Sequence, residues 1–367
     1  MATCQHLAID LRMYGMSGIG RYLQTLLPRL IPRLNAERIS VLGVREDLCT
    51  QPWVTADPRV QIREFDSRIF SVSEQLAPPK IYREAALAWT PQYNIPLRYS
   101  GKLLVTFHDL CHLAMPETLG SPLQRAYARF LFSRAAARAS AILCDSEFTA
   151  SEAQRLLGIK KDRLTVVYPP LDNAWTLSAV TGSRIRPAPY LLVVGNVKVN
   201  KNVLAAILSF NQIRDKIPHD LVIVGRRDGF LNADVKIDDA LTRSDQRIAF
   251  TGHVTETDLR LYYRDADLLV FPSRYEGFGY PLVEAMAMEC PIACAHASCL
   301  PEVAGDAALL FDPNSTEDIA RALLLAINDR HLRASLIRKG TERLKHFAGD
   351  NSAVIAAGVI NDLLSRS

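Results

Sequence analysis

Residues 276–284, Glu-Gly-Phe-Gly-Tyr-Pro-Leu-Val-Glu, place two carboxylates eight positions apart around a glycine turn, directly after the apolar run 267–273. That run ends near Pro272, and Pro281 suits the first turn of a helix, so the segment reads as strand, turn and helix start. Glu276 then lies in the turn and Glu284 in the first turn or so of the helix. In an open α/β sheet this is the carboxyl edge, where loops converge and unpaired helix N–H groups attract anions. Two carboxylates around a phosphate would repel it. The pattern therefore predicts that the glycines and free amides hold a phosphate while each Glu takes sugar hydroxyls.

Three further loops carry groups that suit such a ligand. Gly195-Asn-Val-Lys-Val-Asn-Lys-Asn202 follows an apolar run and supplies Lys198 and Lys201. Lys201 stands just before the next helical stretch, where a cation opposes the helix dipole unless a diphosphate neutralises both. Gly225-Arg-Arg-Asp-Gly229 repeats the arrangement, with Arg226 offering a planar donor fork. Thr251-Gly-His-Val254 offers backbone to a base edge, while His253 reads as a surface residue. In the first half, Phe107-His108-Asp109 ends another apolar run, so His108 is expected at a carboxyl edge as a polar contact for sugar or phosphate. Asp145-Ser-Glu-Phe-Thr149 reads as a helix start capped by Ser146.

These loops need two sheets to position them. Residues 7–10 form a short apolar run, followed by the glycine loop Gly15-Met-Ser-Gly18-Ile-Gly20 and a stretch from Arg21 to Leu30 with apolar residues at helical spacing. Further apolar runs fall at 39–43, 102–107 and 141–144. After a proline-rich stretch from Val167 to Pro189, a second series runs through 190–195, 221–225, 248–250, 268–271, 291–294 and 308–311. Strands alternating with helices imply parallel sheets. The expected class is α/β, with two Rossmann-like, doubly wound domains, 1–180 and 181–350, facing each other across a cleft, plus a C-terminal helix in 351–367 that either packs on the second domain or crosses back to the first.

At 367 residues the chain is long for a single core. Its net charge of +4 is uneven: residues 1–182 hold 21 Lys and Arg against 16 Asp and Glu, and the rest 22 against 23. That is too mild for a nucleic-acid footprint and compatible with an anionic inner-membrane surface. No apolar run approaches a membrane span, and the first residues lack a basic region before an apolar signal core, which predicts a cytoplasmic protein. The seven cysteines, with Cys290, Cys294 and Cys299 clustered near His296, contain no C-x-x-C pair and read as buried thiols rather than a zinc site. Asp265-Ala-Asp267 mimics a metal-binding pair but precedes its strand, so no metal is expected. At about 100° per residue, Arg125 and Arg129 share one helix face, while Arg134 and Arg138 fall opposite, alongside Leu123, Tyr127 and Phe130. Arg125 and Arg129 then face solvent or membrane, and Arg134 snorkels from the core or reaches the cleft.

Taken together, Ser17-Gly-Ile-Gly-Arg-Tyr22, His108-Asp-Leu110, Asp145–Thr149, Val194–Lys198 with Lys201-Asn202, and Phe271–Glu284 resemble the family-4 retaining glycosyltransferases of the GT-B fold, a group that includes bacterial mannosyltransferases of polysaccharide assembly. Leu300-Pro-Glu-Val303 and Gly305-Asp-Ala-Ala308 match the family's ending. The resemblance implies that Glu276 holds donor-sugar hydroxyls, Glu284 the nucleotide ribose, and Lys201, with Arg226, the diphosphate. It implies backbone amides from Phe278, Gly279 and Tyr280, with His108 and the Gly18–Gly20 loop closing from the other domain. Many relatives carry Pro-His or Pro-Arg where this chain has Val199-Asn200. The implied reaction moves a hexose, mannose or a related sugar, from a nucleotide diphosphate sugar such as GDP-mannose to a lipid-linked saccharide, with retention and without a metal or other cofactor.

Three rivals follow from the same residues. A dinucleotide oxidoreductase is disfavoured because Leu23 occupies the third glycine position of the Gly18-x-Gly20 pattern. A sugar-nucleotide epimerase or isomerase on the same plan is the main alternative, since fold does not fix reaction. A non-catalytic binding subunit would not need the Glu pair with Lys201.

Overall fold

The structure is a computed structural model, described here for residues 5–65, 67, 69, 71, 74, 80–227, 237, 240–241, 246–347 and 349–366. Cys4 and the Asp228-Gly229 end of the Arg226 loop lie outside the described residues. The chain forms two compact units, residues 1–170 with 347–367 and residues 171–346.

The first unit is built on β1 (His6–Asp10), β2 (Arg38–Gly43), β3 (Val60–Glu64), β4 (Leu87–Thr90), β5 (Lys102–Phe107), β6 (Ala141–Cys144) and β7 (Leu164–Val166). They make one parallel sheet in the order β3-β2-β1-β4-β5-β6-β7. Central strands β1 and β4 are wholly buried and apolar apart from His6, Asp10 and Thr90, as a sheet covered on both faces requires. Edge strand β3 reads Val-Gln-Ile-Arg-Glu and is largely exposed. Helices α1 (Ser17–Leu30), α2 (Pro122–Arg138) and α3 (Glu147–Leu157) follow β1, β5 and β6. Ser121 caps α2 and Ser146 caps α3, each accepting from the backbone N–H three residues on.

The second unit contains β8 (Tyr190–Val194), β9 (Asp220–Val224), β10 (Ile248–Gly252), β11 (Leu268–Phe271), β12 (Ile292–Ala295) and β13 (Ala308–Phe311). Their order, β10-β9-β8-β11-β12-β13, is again parallel throughout the ladder. Helices α4 (Val203–Ile213), α5 (Glu256–Asp265), α6 (Tyr280–Ala287), α7 (Thr316–Asn328) and α8 (Arg330–Leu344) surround it.

The C-terminal helix α9 (Gly349–Ser365) belongs to the first unit. Ala353, Ala356, Ile360 and Leu363 join the core formed by Leu23, Leu26 and Leu27 of α1. Each fully buried aliphatic side chain contributes about 2 kcal/mol. Polar ties add direction: Ser352 Oγ donates to Tyr168 O at 2.6 Å, and Lys102 Nζ to the α9 carbonyl of Leu363 at 2.9 Å.

Two local expectations are corrected. Gly18 and Gly20 lie not in a loop but in the first turns of α1, which begins at Ser17 with Gly20 N–H bonded to Met16 O at 2.7 Å. A Cβ on Gly20 would sit 2.6 Å from Tyr14 O, so the glycine admits the preceding turn against the helix. In α2 the buried face carries Ala128, Leu131, Phe132, Ala135 and Ala136, while Leu123 and Phe130 are exposed, as are Arg125, Arg129 and Arg134. Arg134 therefore does not snorkel from the core. Two apolar stripes compete on this helix, and the one with small alanines packs closest to the sheet.

No described helix is long and apolar enough to cross a membrane.

Candidate functional site

Strand order reverses between β8 and β11 in the second sheet. Loops leaving the carboxyl ends of these two strands diverge to opposite sides and open a crevice, the usual ligand position in a doubly wound sheet. The Gly195–Asn202 loop leaves β8, and the segment from Pro272 to Gly279 leaves β11, so the topology itself brings Lys201 and Glu276 together. Lys201 Nζ lies 2.7 Å from Glu276 Oε1, with both side chains mostly buried, and 5.6 Å above the Phe271 ring.

Two asparagines that sequence reasoning did not single out stitch these loops. Asn200 accepts Arg274 N–H on its carbonyl at 2.8 Å, and its Nδ2 donates to Tyr275 O at 3.1 Å. Asn202, at φ +54°, donates through Nδ2 to Pro272 O and Pro313 O at 3.2 and 2.8 Å. The left-handed backbone, which asparagine tolerates, turns the chain from the short helix Val199–Lys201 into α4. The side-chain signal was Asn at both flanks of Lys201.

The Glu276 turn is held from a third loop: Glu276 N–H donates to Ser298 Oγ at 3.1 Å. Gly279 precedes α6 at φ +83°, a conformation that disfavours side chains, and a Cβ there would meet Leu300 Cδ2 at 2.9 Å. Tyr280 and Pro281 open α6, and Phe278 is buried with its ring edge-on to Tyr280 at 5.5 Å. The two carboxylates differ in kind. Glu276 meets a cation at the crevice, whereas Glu284 is only 2 % exposed and accepts the Tyr263 hydroxyl at 2.7 Å.

Arg226 is brought beside the lysine loop by its backbone. Its N–H donates to Asn196 Oδ1 at 2.9 Å and its carbonyl accepts Val197 N–H at 3.0 Å, leaving the side chain exposed. Gly225 makes this approach feasible, since a Cβ would lie 2.2 Å from Gly195 O. Lys198 and His253 are exposed.

In the first unit, His108 stands just beyond β5 and is largely buried, with the Tyr22 ring edge-on at 5.0 Å. Its acidic partner is Asp145, at 2.7 Å from Nδ1, not the neighbouring Asp109, whose carboxylate caps Cys111 N–H. Nε2 lies 3.0 Å from Pro91 O. The Pro91 carbonyl can only accept, which places a proton on Nε2, and an ionised Asp145 accepts a second from Nδ1 when the ring is charged. Burial would depress its pKa, but the Asp145 charge and hydrogen bond outweigh it and hold the imidazole above 6.5. Gly18 and Gly20 sit at the α1 start, at the carboxyl end of β1.

The acidic pair before β11 is engaged structurally. Asp265 accepts Ile185 N–H at 2.8 Å and pairs with Arg264, while His219 holds Asp267 below the usual carboxylate range. Burial pushes the thiols of Cys290, Cys294 and Cys299 upward, that of Cys294 to about 12, as for inert core cysteines. No metal-ligand cluster is present among the described residues.

A family model described as glycosyl transferases group 1 matches residues 183–343, and one described as glycosyltransferase family 4 matches residues 16–175. An O-antigen chain mannosyltransferase B from Escherichia coli is 26 % identical, with 92 % of this chain and 94 % of that protein covered. A serotype-specific mannosyltransferase WbdA from Escherichia coli is 26 % identical over 76 % of this chain, which spans 35 % of that longer protein. The solved sucrose-phosphate synthase from Thermosynechococcus elongatus superposes with a TM-score of 0.77 at 17 % identity, over 99 % of this chain and 100 % of that one. Nothing in these matches supports the epimerase alternative. With both halves matched and a Rossmann-like parallel sheet in each, as in the GT-B fold, the chain belongs to the family-4, group 1 glycosyltransferases.

Proposed function

We propose that the protein transfers mannose, or a closely related hexose, from GDP-mannose or a related nucleotide diphosphate sugar to a growing lipid-linked saccharide of cell-surface polysaccharide or lipopolysaccharide, at the cytoplasmic face of the membrane. The observation that carries the reading is the Lys201–Glu276 pair at the strand-order reversal, because it joins a diphosphate-binding cation to a sugar-binding carboxylate. The mannosyltransferase names of the relatives support the choice of sugar and acceptor class.

In this reading Lys201, with Arg226 beside it, takes the diphosphate, and the amides of Phe278, Gly279 and Tyr280 at the α6 start add partial positive charge. Glu276 takes donor-sugar hydroxyls. Glu284, oriented by Tyr263, takes the ribose. His108 and the Gly18–Gly20 helix start are the first unit's own candidates for polar contact with a sugar or phosphate. The bond between the anomeric carbon and the diphosphate oxygen breaks, its electron pair stays on that oxygen, and the acceptor hydroxyl bonds the carbon from the same face while its proton passes to the departing phosphate. Configuration is retained without a carboxylate nucleophile. Lys201 stabilises the charge that develops on the leaving group, a role that needs no metal.

The test is a thermal-shift comparison of GDP, UDP and ADP with their sugars, followed by transfer from the stabilising donor to a lipid-linked acceptor with and without EDTA, and NMR of the product anomer. Stabilisation by GDP and GDP-mannose, EDTA-insensitive transfer and an α-linked product from an α-donor are expected. Preferential stabilisation by another nucleotide overturns the donor, and an inverted product overturns the mechanism.

A further inference from the structure

Helix α2 carries an outward face whose composition has no use in the transfer chemistry. Leu123 is 80 % exposed and Phe130 48 % exposed, large values for apolar side chains on a packed helix. At about 100° per residue these two fall within about 40° of each other and of Arg134, and Ala126 and Ala137 complete the stripe. All are exposed. Arg129 flanks it and, like Arg134, has no hydrogen-bond or ion-pair partner among the described residues. Between Glu117 and Asp145 the chain has four arginines and no acidic residue.

The inner face of the same helix is committed. Phe132, Ala135 and Ala136 pack into the core with Phe107 and Ile142, and Arg138 is tied to Tyr99 O. The helix is therefore held rigidly with its second stripe presented outward.

We propose that this face of α2 docks the protein on an anionic bilayer surface, with Leu123 and Phe130 entering the headgroup boundary and Arg134, with Arg129 at its flank, meeting lipid phosphates. Charge decides the occupant. A second copy of the chain would bring arginines against arginines, whereas anionic headgroups neutralise them, each basic residue near such a surface being attracted by about 1 kcal/mol. Two isolated large apolar residues among alanines also suit shallow insertion of an interfacial helix better than a protein interface core. The proposal deepens the membrane-side reading above and rests on it for its purpose, while vesicle binding needs neither donor nor acceptor.

The experiment is co-sedimentation of the full chain with phosphatidylethanolamine–phosphatidylglycerol vesicles and, separately, with phosphatidylcholine vesicles, at low and high salt. Wild type is expected to pellet with the anionic vesicles at low salt and to be released by salt. The double variant Leu123→Gln with Phe130→Gln should lower partitioning at least about tenfold. Arg129→Gln with Arg134→Gln should lower it roughly 20- to 30-fold, by the same per-residue attraction. Both variants lie on the surface and should keep the wild-type melting temperature and nucleotide binding, which reports separately on the second unit. Equal pelleting of wild type and both variants overturns the proposal, as does equal binding to neutral vesicles. A wild-type dimer abolished by the Leu123 and Phe130 changes, without anionic-vesicle binding, reassigns the face to a second copy and also overturns it.

Discussion

Lys201 Nζ and Glu276 Oε1 stand 2.7 Å apart across two loops that are 75 residues distant in sequence. In the proposed reading, a nucleotide diphosphate draws Lys201 toward its phosphates and weakens this pair, so that the mostly buried carboxylate is fully satisfied only when sugar hydroxyls donate to it. On that reading Glu276 should oppose binding of the bare nucleotide and favour the intact donor. Lys201→Ala should weaken nucleotide diphosphate binding about 10- to 100-fold, the loss of a charge-assisted contact. Glu276→Gln should leave that affinity unchanged or raise it while transfer falls at least about 100-fold. Calorimetry and a transfer assay decide, and equal weakening of nucleotide binding by both substitutions would remove the proposed division of roles.

The carboxylate at the other end of the motif works from inside the protein. Glu284 accepts the Tyr263 hydroxyl at 2.7 Å, so Tyr263, on α5, sets its orientation without belonging to the Glu276 turn. Tyr263→Phe removes one donor from a buried carboxylate and should destabilise the fold by about 1–3 kcal/mol. If Glu284 meets the ribose, the same change should raise the donor KM more than it lowers kcat. Urea unfolding and steady-state kinetics measure the two effects, and a loss confined to kcat would speak against a ribose role.

Much of this arrangement was legible in the residues. The six apolar runs of the second unit announce its strands because parallel strands covered on both faces need continuous hydrophobic sequence. Pro281 and Gly279 likewise announce where α6 begins. β4 was not legible: Leu-Ala-Trp-Thr is four residues long, follows an alanine pair and contains one β-branched residue, and its place between β1 and β5 is decided by tertiary pairing. The Asn200 and Asn202 bridges depend on which loops become neighbours, which only strand order supplies. The same holds for His108 and Asp145, joined because β5 and β6 are adjacent. On α2 periodicity offered two apolar stripes and could not say which was the inner one.

The His108–Asp145 pair has a defined pH signature. Because the folded pKa of His108 is raised above 6.5, its contribution is present below that value while Asp145 stays ionised and is lost as pH rises through the folded pKa; burial raises the Asp145 carboxyl, so the pair is also lost at acid pH as that group protonates. Asp145→Asn, which removes the charge but keeps the shape, should cost about 1–3 kcal/mol near pH 6 and progressively less at higher pH. Burial, the largest influence and one that lowers the pKa, is then opposed only by the Pro91 carbonyl and Asp109, so the His108 pKa should fall relative to wild type. Chemical denaturation from pH 5.5 to 9, with nitrogen NMR of the His108 ring, checks both statements. A pH-independent difference between wild type and Asp145→Asn, or a singly protonated ring at pH 6, contradicts them.

Gly225 tests whether the second unit's crevice depends on close loop packing rather than on Lys201 alone. Its φ of +154° and the 2.2 Å separation between a built Cβ and the Gly195 carbonyl leave no room for a side chain, and the obstacle is backbone on both sides. Gly225→Ala must therefore push the β8 and β9 loops apart. The expected loss is about 2–3 kcal/mol of stability. Because Arg226 N–H bonds Asn196 and Val197 N–H bonds Arg226 O, the same displacement should move the lysine loop and weaken nucleotide binding in parallel. Gly18→Ala, where nothing lies within 4 Å of the added Cβ, is the control and should leave stability within about 0.5 kcal/mol or improve it. Denaturation and nucleotide titration of the two variants separate the cases: a Gly225→Ala protein as stable as wild type would mean that the two loops yield readily and that their contact does not hold the lysine in place.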